Sequence, residues 1–257
     1  MKTLVMVILV VSVFAARADL LQQLRLTKGT SGTNQATGLS LNSLSQDQMV
    51  AGLKEALGKG VQNAVSQLGH DGGFLTNLNV KIPMPENLRT VEKALRKLKQ
   101  EKLADDFVRS MNSAAEKAVP EAAAVFSDAI KQMTIADAKD ILTGTNNAAT
   151  QYFRRTTETN LFARFYPVVT NATQEAGVTA YYKRMMARSG GGSTLGGVLG
   201  GTGLVKAEDL DIDRYVTNKA LDGLFKMVAE EEAKIRANPV ARTTELLQKV
   251  FGASARK

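Results

Sequence analysis

The 257-residue chain contains no cysteine, no tryptophan and a single histidine. Without cysteine there can be no disulfide, no thiolate nucleophile and no lipid carried on an N-terminal cysteine, so stability must come from packing. The lone histidine, His70, lies in a Gly- and Asp-rich turn and offers neither HExxH nor Glu-x-x-His spacing. Transition-metal and Ser-His-Asp chemistry are therefore poorly supported, and no metal or cofactor is expected. The absence of tryptophan, with no interleaving of basic and aromatic residues, argues against nucleic acid as a partner. Beyond the first residues, no apolar run approaches the roughly 20 residues that cross a bilayer.

What is present begins with an export pattern. A short positive start, an apolar core and the run Ala16-Arg17-Ala18 put small residues where a signal peptidase reads them, so cleavage is expected before Asp19. Residues 1–18 then form a signal peptide, and the 239-residue mature chain is exported: periplasmic or secreted, extracellular if the source is eukaryotic. Loss of Lys2 and Arg17 leaves 31 basic against 25 acidic residues, a net charge of +6. These charges are interspersed, as in LRTVEKALRKLKQEK, which is the pattern of solvated helix faces. Such a surface can attract anionic lipid, glycan or protein.

Residues 19–44 read as a flexible leader, and residues 45–257 as one helical domain with a glycine-rich loop at 189–207. The SQDQ run fits a capping box at Ser45, and Val50, Leu53, Leu57, Val61, Ala64, Val65 and Leu68 recur at helical spacing, with Gly69 as a left-handed stop. The segment HDGGFLTNLNVKIPMP is too rich in Gly and Pro to stay helical. Further helices are expected from Pro85, from Lys102, from Pro120 and behind a Thr134/Asp137 cap. A long helix spans NNAATQYFRRTTETNLFARFYPVV, apolar nearly all round in its second half, bent or restarted at Pro167 and continuing through YYKRMMARS. Two helices close the chain, the last entered through Pro239. The fold class is all-α: a multi-helix bundle of about eight to nine helices with proline-broken joints and no sheet.

The blocks KIPMPENL, MNSAAEKAVPEAAAVFSDAI, MTIADAKDILTG, AATQYFRRTT, FYPVV, DIDRYVTNKALDGLF and EEAKIRANP occur in one order from about Ser45 to Phe251. In them the chain resembles the domain-of-unknown-function family numbered 4197 (DUF4197), whose members are mostly exported bacterial proteins. The resemblance implies export but assigns no activity. The glycine-rich insertion and Glu101-Lys102, where family members often carry glycine, depart from the family pattern.

Two motifs fail on inspection. Asp209, Asp211 and Asp213 imitate a calcium loop, but Arg214 replaces its glycine and Ala220 its glutamate; acids entering a helix explain the run. LGGVLGGTG lacks the GK[ST] ending of a phosphate loop. The candidate site residues are instead polar groups bordering apolar helix faces. On a helical wheel Asn112 falls at the edge of the apolar arc around Met111, and Glu116 one step further out beside Asp105. Asn160 and Arg164, four apart, sit within an apolar segment, where a buried arginine needs a carboxylate. The expectation is an interior polar cluster in which Arg164 or Arg154 meets Glu116 or Asp137 while Asn112 orients the carboxylate. Tyr152, Phe153 and Phe162 would line an adjoining cleft. Glu232 and Arg236 read as an i,i+4 pair within one helix.

Three function classes follow. The first, favoured, is an exported, non-enzymatic module that binds an apolar small molecule, a lipid or a cell-envelope partner. The second is a hydrolase-type enzyme using Glu116 and Asp137 as acid and base. The third is a purely structural envelope protein.

Overall fold

The computed structural model describes residues 46–188 and 211–237. The signal, the leader, the Ser45 cap, the glycine-rich loop and the helix after Pro239 lie outside them, as does Asp209. Within the described residues the fold is all-α, with no strand. In chain order the helices are α1 (Gln46–Leu68), α2 (Arg89–Lys97), α3 (Glu101–Ala118), α4 (Ala122–Gln132), α5 (Ile135–Thr143), α6 (Ala148–Glu175), α7 (Val178–Arg188) and α8 (Ile212–Ala237). Single 3-10 turns, Glu86–Leu88 and Val119–Glu121, follow Pro85 and contain Pro120. Proline thus marks two of the joints, because its fixed φ and missing N–H suit a first turn.

Most of the apolar stripes lie inside. Leu53, Leu57, Val61, Ala64 and Leu68 of α1 are buried, and α6 packs against α8 and α3. At the centre, the Phe126 ring stands edge-on to Phe153 at 4.9 Å and to Phe225 at 6.1 Å, an arrangement that aromatic quadrupoles favour. Thr134 and Asp137 form the expected capping box of α5.

Three local expectations need correction. Gly69 is not a left-handed stop: its N–H still bonds Val65 O at 2.8 Å, and the positive φ, 85°, comes at Gly72. The long helix does not restart at Pro167. Pro167 and Ala163, whose carbonyl loses its partner, are both exposed, so water can replace the missing N–H and α6 continues. The break falls at Gly177, where φ is 68°. Nor is the second half of α6 apolar all round. Leu161, Phe165 and Val169 are buried, whereas Asn160, Ala163 and Arg164 face outward.

Candidate functional site

The site is built on the joint between α1 and α2, residues 69–85. Gly73 lies so close to the end of α1 that a Cβ there would stand 2.6 Å from Leu68 O, so only glycine lets the chain fold back over the helix. Phe74 then enters the core, fully buried, against Gly223 of α8. Residues 77–81 form a tight turn in which Asn77 Oδ1 accepts from Asn79 N and Asn77 O accepts from Val80 N and Lys81 N. Beyond it the backbone alternates: Val80, Ile82 and Met84 are buried, Lys81 and Pro83 exposed. This is a strand-like segment with no neighbouring strand.

Side chains take the place of that neighbour. Asn112 Oδ1 accepts from Ile82 N at 2.8 Å, and Asn112 Nδ2 donates to Ile82 O at 2.9 Å and to Val108 O at 2.7 Å. One amide thereby satisfies both backbone groups of one residue, as a ladder partner would. One turn along α3, Glu116 Oε1 accepts from Phe74 N at 2.9 Å and Leu75 N at 3.2 Å. On the other flank, Tyr215 Oη donates to Pro83 O at 3.1 Å and Lys226 Nζ to Asn79 O at 2.9 Å. The joint lacks regular secondary structure, yet it is fixed to α3 and α8 by four side chains.

The expected interior cluster does not form. Asn112 is fully buried and Glu116 only 6% exposed, because the joint crosses the flank of α3 that the wheel left open to solvent. Neither meets an arginine. Arg154 is half-exposed, 2.9 Å from Glu158 and 3.6 Å from Asp222, with its guanidinium over the Phe225 ring. Arg164 is exposed and among the described residues its carboxylate neighbour is Glu121, at 4.0 Å; Asn160 is exposed. Asp137 caps α5, with Arg155 at 3.9 Å, and the hydroxyl and backbone N–H of Thr134 hold its carboxyl below the usual range. Buried Tyr152 donates its hydroxyl to Ala129 O at 3.0 Å, and burial raises its pKa. The predicted aromatic cleft is likewise not formed. Phe153 is in the core, while Phe162 stacks on Tyr166 with Arg214 over its ring.

Sequence reasoning placed Glu232 only in its pair with Arg236 and missed its wider role. It is 5% exposed and caps another helix, accepting from Ala149 N at 3.0 Å, Thr150 N at 2.9 Å and Thr150 Oγ1 at 2.8 Å. Arg236 does bind it, as the spacing implied, but also donates to Ile141 O, tying the end of α5 to the start of α6. The signal was available: Phe225, Val228, Glu232 and Ile235 share one helical stripe. Glu231 beside it bonds Asn63, Gln67 and Lys234. Burial pushes its carboxyl up, but those hydrogen bonds outweigh it and leave the pKa lowered.

Two open grooves flank these anchors. The first, about 540 Å³, lies between the joint, α2 and α3; Leu75, Pro83, Met84 and Val108 are its apolar lining, and Lys81, Arg89, Arg96 and Arg109, with the carboxylates Glu92 and Asp105, are its charged lining. Arg96 is committed, to Glu92 at 2.7 Å and Asp105 at 3.1 Å, and Arg89 pairs with Glu86. Lys81 and Arg109 pair with no carboxylate among the described residues. The second groove, about 560 Å³ between α6 and α8, is balanced: Glu158 and Asp222 face Arg154, and Arg214 has Asp211. The interior space beside Glu232 is only about 10 Å³. Among the described residues there is no group of acids and histidine able to hold a metal ion, and no helix long and apolar enough to cross a membrane.

Within the described residues these features define a class: an all-helical bundle in which the joint of residues 69–85 is fixed to α3 and α8 by side chains and flanked by a groove that holds Lys81 and Arg109. The chain belongs to the family described as protein of unknown function, DUF4197, whose model matches residues 43–252. No curated protein and no solved structure matches it.

Proposed function

We propose that the protein is an exported, non-enzymatic binding module that holds the acidic head of a small amphiphile, a phosphate or carboxylate on an apolar tail, in the groove between the joint, α2 and α3. One observation carries this reading. Among the described residues Lys81 and Arg109 have no carboxylate partner, and they line a concave site that also carries Leu75 and Val108 and whose volume is in the range of ligand clefts, about 300–1,000 Å³. Export rests on the N-terminal signal pattern. The joint that presents Lys81 is locked in place, so little ordering entropy is lost on binding. The hydrolase alternative has no acid–base pair to use here. Glu116 is spent on the backbone of the joint, and Asp137 is a helix cap with a depressed pKa, the opposite of what a general acid needs.

The test is calorimetry and native mass spectrometry with a monomeric alkyl phosphate and a monomeric fatty acid as probes. Binding should occur with one site, and K81A/R109A should abolish it while leaving the circular dichroism unchanged. Equal binding by wild type and the double variant would remove the groove from consideration.

A further inference from the structure

Leu78 is 89% exposed, the most exposed of the large apolar side chains on the described surface. It occupies the apex of the 77–81 turn, flanked by Asn77 and Asn79, and the turn is not loose. Its backbone is hydrogen-bonded within itself, Lys226 holds Asn79 O, and the segments before and after are fixed by Glu116 and Asn112. An exposed leucine on a yielding loop could fold inward, but this one is held out. The residues three before and three after it, Leu75 and Lys81, both line the cationic groove. Between Phe74 and Pro85 the only charged residue is Lys81, and the charge that reaches the turn from α8 is Lys226. The tip is therefore apolar, Lys81 and Lys226 stand beside it, and a headgroup-sized cleft with four cations and two carboxylates in its lining opens next to it.

We propose that this tip docks the protein on an anionic bilayer: Leu78 enters the acyl boundary while Lys81, Lys226 and Arg109 meet lipid phosphates, and the groove takes the headgroup of a lipid that remains in the membrane. The inference rests on the groove reading above and names the source of its ligand. The occupant is a bilayer because the patch pairs one apolar anchor with three cations, Lys81, Lys226 and Arg109, that no carboxylate of the described residues neutralises. That combination suits a charged interface, where a single apolar group holds weakly and a second, electrostatic signal is needed. An apolar pocket on a partner protein would have to desolvate the same lysines.

The experiment is co-sedimentation of the mature chain with vesicles of phosphatidylcholine alone or mixed with phosphatidylglycerol, run beside calorimetry with monomeric short-chain phosphatidylglycerol. Binding is expected only to the mixed vesicles and should weaken with salt. L78S, at a fully solvated position, should keep the wild-type melting temperature and bind the monomeric lipid normally, yet lose at least about tenfold in vesicle partitioning, as removal of one buried leucine side chain implies. K81A/R109A should lose both. If L78S partitions like wild type, the tip does not insert and the inference fails. If wild type binds the monomeric lipid but no vesicle, the groove reading stands and the membrane reading is overturned; if it binds neither, both fall.

Discussion

Replacing Asn112 by alanine tests how the joint is held. The amide makes three hydrogen bonds, two of them to the N–H and C=O of Ile82, a residue with no exposed surface. The third, to Val108 O, is cheap to lose because that carbonyl also accepts its helical partner. Each orphaned buried backbone group costs about 1–3 kcal/mol, so N112A should lose about 2–6 kcal/mol. The lower half is expected, since Lys81 and Pro83 on either side are exposed and let water approach once the side chain is gone. Against a total stability of about 5–15 kcal/mol, the variant should fold but be weakened. The assay is urea unfolding followed by circular dichroism; with a slope of about 1–3 kcal/mol per molar, the midpoint should fall by about 1 M or more. N112D sharpens the test. Its carboxylate can still accept from Ile82 N but faces two carbonyl oxygens, so it should be worse than alanine at neutral pH. It should recover as acid protonates it and restores a donor. A loss below about 0.5 kcal/mol for N112A, with the Ile82 amide exchanging no faster than in wild type, would refute the reasoning.

Opposite signs are expected at two helical glycines. At Gly223 a Cβ would stand 2.7 Å from Phe74 Cε1 and 3.2 Å from Val80 Cβ, so overpacking of about 1–3 kcal/mol should exceed the roughly 1 kcal/mol gained in helix propensity, and G223A should lower the melting temperature. Gly58 has nothing within 4 Å of such an atom, and G58A should raise it. Glu232→Ala removes the carboxylate that covers the N–H groups of Ala149 and Thr150 and binds Arg236; unfolding should show a loss of about 3–5 kcal/mol, partly restored by Glu232→Gln. Asp137 has a folded-state pKa below its ordinary value of 3.8, so it contributes stability above that pH which is lost as pH falls through the lower folded value. In Asp137→Asn, stability measured from pH 5 downward should fall less steeply than in wild type, by one titrating group; identical slopes would show that the Thr134 contacts contribute nothing.

Local patterns carried much of the fold. The stripe of α1, the Thr134–Asp137 box and the joints at Pro85 and Pro120 each depend on residues a few positions apart, and each was legible. The polar anchors were not, because their partners are distant: Glu116 bonds a backbone 42 residues away, and Glu232 one 83 away. A helical wheel describes one helix in isolation, so it left Glu116 facing water on the very flank that the joint covers. For Arg164 the error ran the other way: an apolar sequence context suggested burial, but Asn160, Ala163 and Arg164 share the outer face of α6.

What fixes the joint also fixes the groove. The period-two burial of Val80, Ile82 and Met84 decides that Lys81 and Pro83 point outward, and a register slip of one residue would bury the lysine and expose the isoleucine. In a sheet that register would be set by many ladder bonds. Here a few side chains set it: Asn112, whose acceptor and donor match the N–H and C=O of Ile82, and Tyr215 on the neighbouring Pro83 O, with Glu116 and Lys226 holding the chain before them. Asn112 is fully buried and does not line the groove, yet the direction of Lys81 depends on it. Asn112, expected in a polar cluster, instead holds the backbone of Ile82, and through it the outward direction of Lys81.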